Sequence, residues 1–186
     1  CLVLENGCVV YHDYPDDVVS ELINQRPERP IDGIVLAVSA KELLSPNRQD
    51  RDKLIEWLYQ EFRSVQQKVE FVLPVYLVLS EMHELAGFQE FWALEENRQF
   101  EDDIFGWSSP YGPDIQFKKD WIDEAFNHVL SQLRAQQLAL NSKDNASQDG
   151  AFLSLGPALE ELREPVNVLA SDLLSPGVLS HPLIFR

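Results

Sequence analysis

Two continuous apolar runs and an amphipathic segment between them dominate the pattern of the chain. Residues 33–39 and 72–79 are apolar without alternation, which is typical of strands that are covered on both faces. Apolar residues recur at helical spacing over residues 47–68, opposite charged and amide side chains. Strand, helix and strand in this order predict a right-handed parallel crossover. Pro74 is expected at the start of the second strand, because proline cannot donate to a ladder.

The segments on either side of this unit predict a hairpin and further helices. Two short β-rich runs, residues 3–4 and 8–12, flank a turn signal and predict a hairpin at the edge of the sheet. After residue 79 the chain becomes aromatic and acidic, which indicates short helices and a loop. Two more helices are predicted, a short one over residues 16–24 and a long, well-buried one over residues 116–140.

A polar segment, residues 141–150, marks an internal boundary. It contains one small apolar residue and predicts a flexible loop. Beyond it leucines and valines recur at spacings of four and three, so residues 151–186 predict a helical extension that Pro165 kinks or splits. Residues 1–140 then form an α/β domain. The predicted fold class is α/β, with a mainly parallel, doubly wound sheet, an N-terminal hairpin at its edge, flanking helices and the helical extension.

The charge of the chain restricts its partners. Thirty-one acidic and fifteen basic residues among 186 give a formal net charge of −16, which repels nucleic-acid phosphates and anionic lipid surfaces. No apolar run approaches the roughly 20 residues that cross a bilayer. We therefore expect neither nucleic-acid binding nor direct membrane insertion. Two cysteines do not indicate a disulfide framework, and the missing initial methionine leads us to expect a longer parent polypeptide.

The usual motifs of catalytic and metal-binding sites are absent from the sequence. Gly-Lys and Gly-x-Gly never occur, so the phosphate loop and the dinucleotide fingerprint are both missing. Gly-x-Ser-x-Gly is missing too, and neither the four histidines nor the two cysteines have metal-ligand spacing. The sequence therefore predicts no catalytic residue and no metal site in this chain, and we expect it not to be an enzyme.

Short segments in a fixed order carry a resemblance to a known family. They are Arg29-Pro30-Ile31-Asp32-Gly33 with the strand that follows, Glu42-Leu43-Leu44, Pro74-Val75-Tyr76-Leu77-Val78-Leu79-Ser80, Gly87-Phe88-Gln89-Glu90-Phe91, Phe105-Gly106-Trp107-Ser108-Ser109-Pro110, Leu162-Arg163-Glu164-Pro165 and Pro182-Leu183-Ile184-Phe185-Arg186. In this order they resemble segments of the IcmF/TssM inner-membrane components of bacterial type VI secretion systems, and of relatives in some type IVB systems.

The resemblance implies a place for the chain in a larger protein. Such proteins have an N-terminal membrane hairpin, a cytoplasmic NTPase-like domain, a third membrane helix and a large periplasmic region. The chain would be the cytoplasmic part, at the cytoplasmic face of the bacterial inner membrane. It would form a partial P-loop-NTPase-like domain that lacks the segment with the phosphate loop.

The nucleotide-site positions that the resemblance implies have changed. Asp13-Tyr14-Pro15-Asp16 stands where relatives have Asp-x-x-Gly, so an acid replaces the glycine whose amide would meet phosphate. Ser80-Glu81-Met82-His83 stands where relatives have Thr-Lys-x-Asp. Glu81 replaces the lysine that packs on the base, and the imidazole of His83 cannot accept both guanine N–H groups. In a purely structural interpretation, Asp13 caps a turn and residues 80–83 lead into a helix.

These expectations favour a non-catalytic assembly module without a cofactor. It would dock a DotU/TssL-like inner-membrane protein and baseplate-like secretion components. The alternative is a switch that binds GTP or ATP with magnesium through a phosphate loop upstream of this chain. Aromatic anchors inside a polar rim are favoured at protein interfaces, so the candidate contacts are the aromatic residues among the acids, unless these rings belong to the core: Phe88, Phe91, Trp92, Phe100 and Trp107.

Overall fold

The structure is a computed structural model, and its elements are numbered in chain order. It describes residues 2–3, 9–10, 17–28, 31–45, 48–68, 73–93, 106–112, 115–142, 150–174 and 184–185. The strands are β1 (Leu2–Val3), β2 (Val9–Val10), β3 (Ile34–Ser39), β4 (Pro74–Ser80) and β5 (Ile184–Phe185). The helices are α1 (Asp17–Gln25), α2 (Ala40–Leu43), α3 (Arg48–Lys68), α4 (Phe88–Trp92), α5 (Asp120–Ser142) and α6 (Leu155–Leu174), with 3₁₀ helices at Met82–Glu84 and Gly150–Ser154.

The larger sheet has three parallel strands in the order β3-β4-β5. Helix α3 connects β3 to β4, so the predicted strand, helix and strand unit is confirmed. Pro74 is the first residue of β4 and pairs with Ile184, which the sequence did not predict to lie in a strand.

The N-terminal hairpin is also present, with Leu2 opposite Val10 and Val3 opposite Val9. In the described part of the chain it forms a sheet of its own, so the prediction that it forms the edge of the parallel sheet is corrected. Among the described residues, strand β3 pairs with β4 alone.

Two helices differ from their predicted bounds. Helix α5 begins at Asp120 rather than at residue 116, after a loop that buries Phe117. Asp120 and Asp123 lie in its first turn, where acidic side chains stabilise the positive end of the helix. Helix α6 contains Pro165 and continues to Leu174, so the proline does not split it. Buried residues on the same stripe keep the helix packed before and after the proline.

One hydrophobic core joins the sheet to helices α3, α5 and α6. Helices α5 and α6 pack against each other, and their most deeply buried side chains belong to the same cluster as the inner face of the sheet. Gln137 of α5 donates a 2.8 Å hydrogen bond from Nε2 to the carbonyl of Phe152. Residues on both sides of the predicted boundary at 141–150 therefore contribute to one core, and the division into domains stays a prediction.

The two faces of the parallel sheet differ in burial. Leu36, Val38 and Val75 point into the core. On the opposite face Val35, Tyr76 and Val78 remain 54%, 46% and 45% exposed. We call these three residues, together with Ala37 between them, the open face. Apolar residues on both sides of a strand predicted two covered faces, and in the described residues this holds for one face only.

Candidate functional site

The carboxyl ends of β3 and β4 lie level with each other, because Ser39 is paired with Ser80 in the register of the sheet. Ligands of open α/β sheets bind outside the carboxyl ends of the strands. The residues that follow Ser39 and Ser80 therefore define the candidate site. They include two of the sequence-predicted positions, Glu81 and His83.

Ser39 has two hydrogen-bonding roles at this end of the sheet. Its hydroxyl oxygen accepts the backbone N–H of Glu42 at 3.2 Å and so caps the short helix α2. A serine three residues before a glutamate is a sequence signature of such a cap. The same hydroxyl donates to Oε2 of Glu81, across the gap between the two strands. Ser39 thus links the ends of β3 and β4.

Glu81 adopts a backbone conformation that is unfavourable for its residue type. Its φ of 55° and ψ of 31° lie in the left-handed region, and in the described part of the chain it is the only non-glycine residue with a positive φ. This conformation costs an ordinary residue roughly 1–2 kcal/mol. The charge-assisted hydrogen bond from Ser39 offsets part of that cost.

The turn after Glu81 is held by weaker surface contacts. Glu84 lies 3.8 Å from Nζ of Lys41 and 3.4 Å from Nε2 of His83. The carbonyl of His83 accepts a 3.1 Å hydrogen bond from Nε2 of Gln89. The imidazole of His83 remains largely exposed. It therefore lies at the surface of the turn and not in a buried binding pocket.

Gly87 fastens the other end of the loop that connects β4 to α4. Its φ is +81°, and a Cβ at this position would lie 2.6 Å from the carbonyl oxygen of Ala151 and 2.7 Å from the backbone nitrogen of Leu155. A side chain cannot fit there, so the missing Cβ lets α4 lie directly against the 3₁₀ helix before α6. The loop is thus fixed at Glu81 by a hydrogen bond and at Gly87 by close packing.

The aromatic candidates separate into surface and core residues. Phe88 and Trp92 stack with 6.0 Å between ring centroids and 2° between ring planes, and Trp92 is 37% exposed. Phe91, between them, is only 4% exposed and belongs to the core, which removes it from the candidate surface. The rings of Phe88 and Trp107 are partly buried against the core. Phe100, like Asp13 and Asp16, lies outside the described residues.

Sequence reasoning missed a second polar cluster, which joins α5 to α6. Nε of Arg163 lies 2.6 Å from Glu160, its Nη1 is 3.4 Å from Asp123, and its Nη2 donates to Asn127 at 3.0 Å. Asn167, which is almost completely buried, donates to Asp123 at 3.2 Å. The hydrogen bond from Arg163 lowers the pKa of Glu160. The cluster links α5 to α6 at the partly exposed edge of their interface.

Tyr111 anchors the segment that follows Trp107. Its hydroxyl donates to the carboxylate of Glu124, 2.9 Å from each oxygen, and its ring stacks on Trp121 at 4.4 Å. The hydrogen bond to Glu124 raises the pKa of Tyr111. The sequence predicted only a loop here, because neither partner lies in a recognisable motif. These contacts fix the loop onto α5.

The described residues contain neither a cluster of metal ligands nor a membrane-spanning helix. No group of three or more histidine, cysteine or acidic side chains is placed to hold a metal ion in that part of the chain. None of its helices is both long enough and apolar enough to cross a membrane. The candidate site consists of the paired strand ends at Ser39 and Ser80 and the hydrogen bond from Ser39 to Glu81, next to a helix that carries the stacked rings of Phe88 and Trp92.

A comparison with protein families assigns this arrangement to a known domain. The model described as the IcmF-related N-terminal domain matches residues 16–186. The chain belongs to this family. The match covers every described element from α1 to β5, including the strand ends and the aromatic pair on α4. It confirms the resemblance found in the sequence, and it associates the IcmF-related domain with a secretion system. Comparisons with curated proteins and with solved structures gave no match.

Proposed function

We propose that this IcmF-related domain is a non-catalytic assembly module of a bacterial type VI secretion membrane complex. It works at the cytoplasmic face of the inner membrane, as part of a membrane-associated family. It docks the cytoplasmic part of a DotU/TssL-like inner-membrane protein and baseplate-like components. The observation that carries this proposal is the loop after β4, where Glu81 is hydrogen-bonded to Ser39 and α4 carries two stacked rings, the exposed Trp92 and the partly buried Phe88.

The strand ends support the non-catalytic part of the proposal. In a nucleotide-binding relative, the residue at position 81 would be a lysine whose stem packs on the base. Here the carboxylate of Glu81 bonds a hydroxyl of the neighbouring strand instead. The imidazole of His83 is largely exposed beside Glu84, and it offers one acceptor where a guanine edge needs two. We infer a degenerate member of the doubly wound, P-loop-NTPase-like class, and the parallel β3-β4-β5 sheet with its α3 crossover supports this inference.

The aromatic pair supports the docking part of the proposal. Tryptophan is enriched among the residues that carry most of the binding energy of an interface. Trp92 offers an exposed, stacked ring on a short helix whose backbone is fixed through Gly87. The net charge of −16 favours a partner surface with basic residues around an apolar pocket. Phe88 and Trp92 thus form the centre of the proposed contact surface.

A capture experiment tests the docking proposal. The immobilised cytoplasmic part of a DotU/TssL-like protein should retain the wild-type chain and bind Trp92→Ala roughly tenfold or more weakly, as truncated interface anchors do. Trp57→Ala is the matched control, because Trp57 is an exposed tryptophan on a different helix, α3. Its capture should equal that of the wild type. Failure to retain the wild-type chain, or equal losses in both variants, would contradict docking through α4.

A nucleotide titration tests the alternative function. The parallel strands end level with each other, as they do where open α/β sheets bind ligands. A longer polypeptide that extends upstream of Cys1 should be titrated with fluorescently labelled GTP and ATP, with and without magnesium. We expect no saturable binding. Micromolar, magnesium-dependent binding would establish a working switch and overturn the non-catalytic assignment.

A further inference from the structure

The hydrogen bond between Ser39 and Glu81 lies at the start of the segment that connects β4 to α4. It joins two residues that are 42 positions apart in the sequence and lie at the ends of neighbouring strands. Ser39, the donor, is also the N-cap residue of α2. Glu81, the acceptor, begins the turn that leads to Phe88. We call this hydrogen bond the latch.

A series of backbone hydrogen bonds connects the latch to the aromatic pair. The N–H of Glu84 donates to the carbonyl of Glu81 at 3.0 Å, and the N–H of Phe88 donates to the carbonyl of Leu85 at 3.2 Å. The N–H of Phe91 then donates to the carbonyl of Gly87 at 3.0 Å. These hydrogen bonds restrict the backbone torsion angles of the segment between Glu81 and α4.

We propose that Glu81 is a positioning residue for the docking surface, and that the latch sets the orientation of the Phe88 and Trp92 rings. Without the latch, the left-handed conformation of Glu81 loses its offsetting interaction, and this backbone relaxes toward the ordinary right-handed or extended regions. Gly87 cannot move inward, because the backbone atoms of Ala151 and Leu155 already lie against it. Phe91 is also buried in the core, so the backbone of α4 stays in place. The relaxation is therefore taken up by the 3₁₀ turn Met82–Glu84, which contacts α4, and it changes the orientation of the two rings.

This inference deepens the proposed docking function, on which its biological meaning rests, but the ring geometry can be measured without any partner. The whole chain is labelled with 5-fluorotryptophan and its fluorine NMR spectrum is recorded. The resonance of Trp92 is assigned from its loss in Trp92→Phe, and Trp57 on α3 serves as an internal reference.

Paired substitutions separate the latch from general packing. Ser39→Ala and Glu81→Ala each remove the latch, and both should shift or broaden the Trp92 resonance while Trp57 stays in place. Ser39→Thr keeps the hydroxyl and Glu81→Gln keeps a side-chain oxygen acceptor, so both should retain the wild-type Trp92 signal. The double alanine variant should give the same Trp92 shift as Glu81→Ala alone, because the latch is already lost in that single variant. Ser39→Ala also removes the cap of α2, so Glu81→Ala is the cleaner of the two single variants.

Two outcomes would overturn the inference. One is an unchanged Trp92 resonance in both alanine variants, with unchanged amide hydrogen exchange over residues 82–92. The other is an equal shift of Trp57 and Trp92, which would indicate general loosening of the fold. If an alanine variant does not fold, the comparison of Glu81→Gln with Glu81→Met, which has no oxygen acceptor, replaces it.

Capture by the DotU/TssL-like cytoplasmic part then distinguishes this inference from the docking proposal. Glu81→Ala should lower the affinity roughly two- to thirtyfold, the range over which residues outside a contact modulate binding, and Glu81→Gln should not. If the wild-type chain is not captured but the Trp92 resonance responds to the latch, docking fails and the positioning role of Glu81 stands. If the wild type is captured and the resonance does not respond, docking stands and the positioning role fails.

Discussion

Gly87 and Ser154 approach each other so closely that a Cβ at position 87 would lie 2.6 Å from the Ser154 hydroxyl oxygen. The Ser154 hydroxyl donates to the carbonyl of Ala151, so it belongs to a fixed turn. The loop after β4 is therefore built against the start of α6, although the two segments are far apart in the sequence. Contact between them is required for α4 to lie where it does.

Substitution of Gly87 by alanine should be strongly destabilising. The new Cβ would meet the backbone of Ala151 and Leu155, and its φ of +81° is unfavourable for alanine. We expect a loss of about 2–4 kcal/mol in the free energy of unfolding, measured by urea denaturation. Gly112→Ala is the control, because no atom lies within 4 Å of the position of its Cβ, and its stability should stay within about 0.5 kcal/mol of the wild type. Equal losses in both variants would show that the close approach has no energetic role.

The two faces of β4 should respond differently to the same substitution. Val75 is 1% exposed and Val78 is on the open face. Val75→Thr buries a hydroxyl and should cost about 1–3 kcal/mol, whereas Val78→Thr should change stability by less than about 0.5 kcal/mol. Val78→Thr should also reduce the binding of a dye that fluoresces on apolar surfaces. If both variants lose the same stability, the assignment of the open face is wrong.

The ion pair between Glu160 and Arg163 should make stability depend on acid pH. The hydrogen bond from Arg163 lowers the pKa of Glu160 from its ordinary value of 4.5, so the folded state binds this proton less readily than the unfolded state. The stabilisation is fully present above the ordinary pKa and is lost as pH falls through the lowered value. Unfolding free energies of wild type and Glu160→Gln, measured from pH 7 to pH 3, should therefore converge toward low pH.

The same pH series in an Arg163→Met background is the control for this prediction. Without the guanidinium, the main cause of the lowered pKa of Glu160 is gone, and Glu160→Gln should have little effect on the pH profile. If Glu160→Gln changes the pH dependence of the unfolding free energy by the same amount with and without Arg163, a group other than Arg163 is responsible.

The side-chain amide of Gln137 should contribute to holding the second 3₁₀ helix on α5. It is buried and donates to the carbonyl of Phe152 at 2.8 Å. Gln137→Leu leaves that carbonyl without this donor and should cost about 1–3 kcal/mol. Hydrogen exchange of residues 150–154 should become faster. Leu138→Gln, at the exposed neighbouring position, is expected to be nearly neutral, and a neutral Gln137→Leu would contradict the role of this bond.

The sequence predicted the elements whose periodicity is strong and local. The predicted bounds agree within one or two residues for β3, α3 and β4. These elements depend on local patterns, continuous apolar runs and a helical stripe, which can be read from neighbouring residues in the sequence. Pro165 was expected to kink or split α6, and the structure shows that it does not split it. The helix instead continues, since Leu162 and Val166 remain buried in the core on either side of it. Tertiary packing therefore outweighed a local rule.

Contacts between distant segments could not be predicted in this way. The bond from Ser39 to Glu81 depends on the register of two strands, which no local pattern specifies. The left-handed backbone of Glu81 has no signal either, because glutamate rarely adopts it. Phe88, Phe91 and Trp92 lie on a helix of five residues, too short for a periodic pattern to show that Phe91 is buried while Trp92 is exposed. The sequence shows an apolar run before Arg186. It does not show that Ile184 pairs with Pro74, because that pairing forms only in the folded sheet.

That pairing also has a consequence for synthesis. The ribosome produces β3 and β4 long before it produces β5, so the first two strands must wait for a third that is made near residue 184. Helix α6, which completes the core, is also translated late. The nascent chain therefore exposes apolar faces of β3 and β4 while the residues between β4 and β5 are translated. Binding by ribosome-associated chaperones is the expected protection, and it should end only when the last strand has emerged from the exit tunnel.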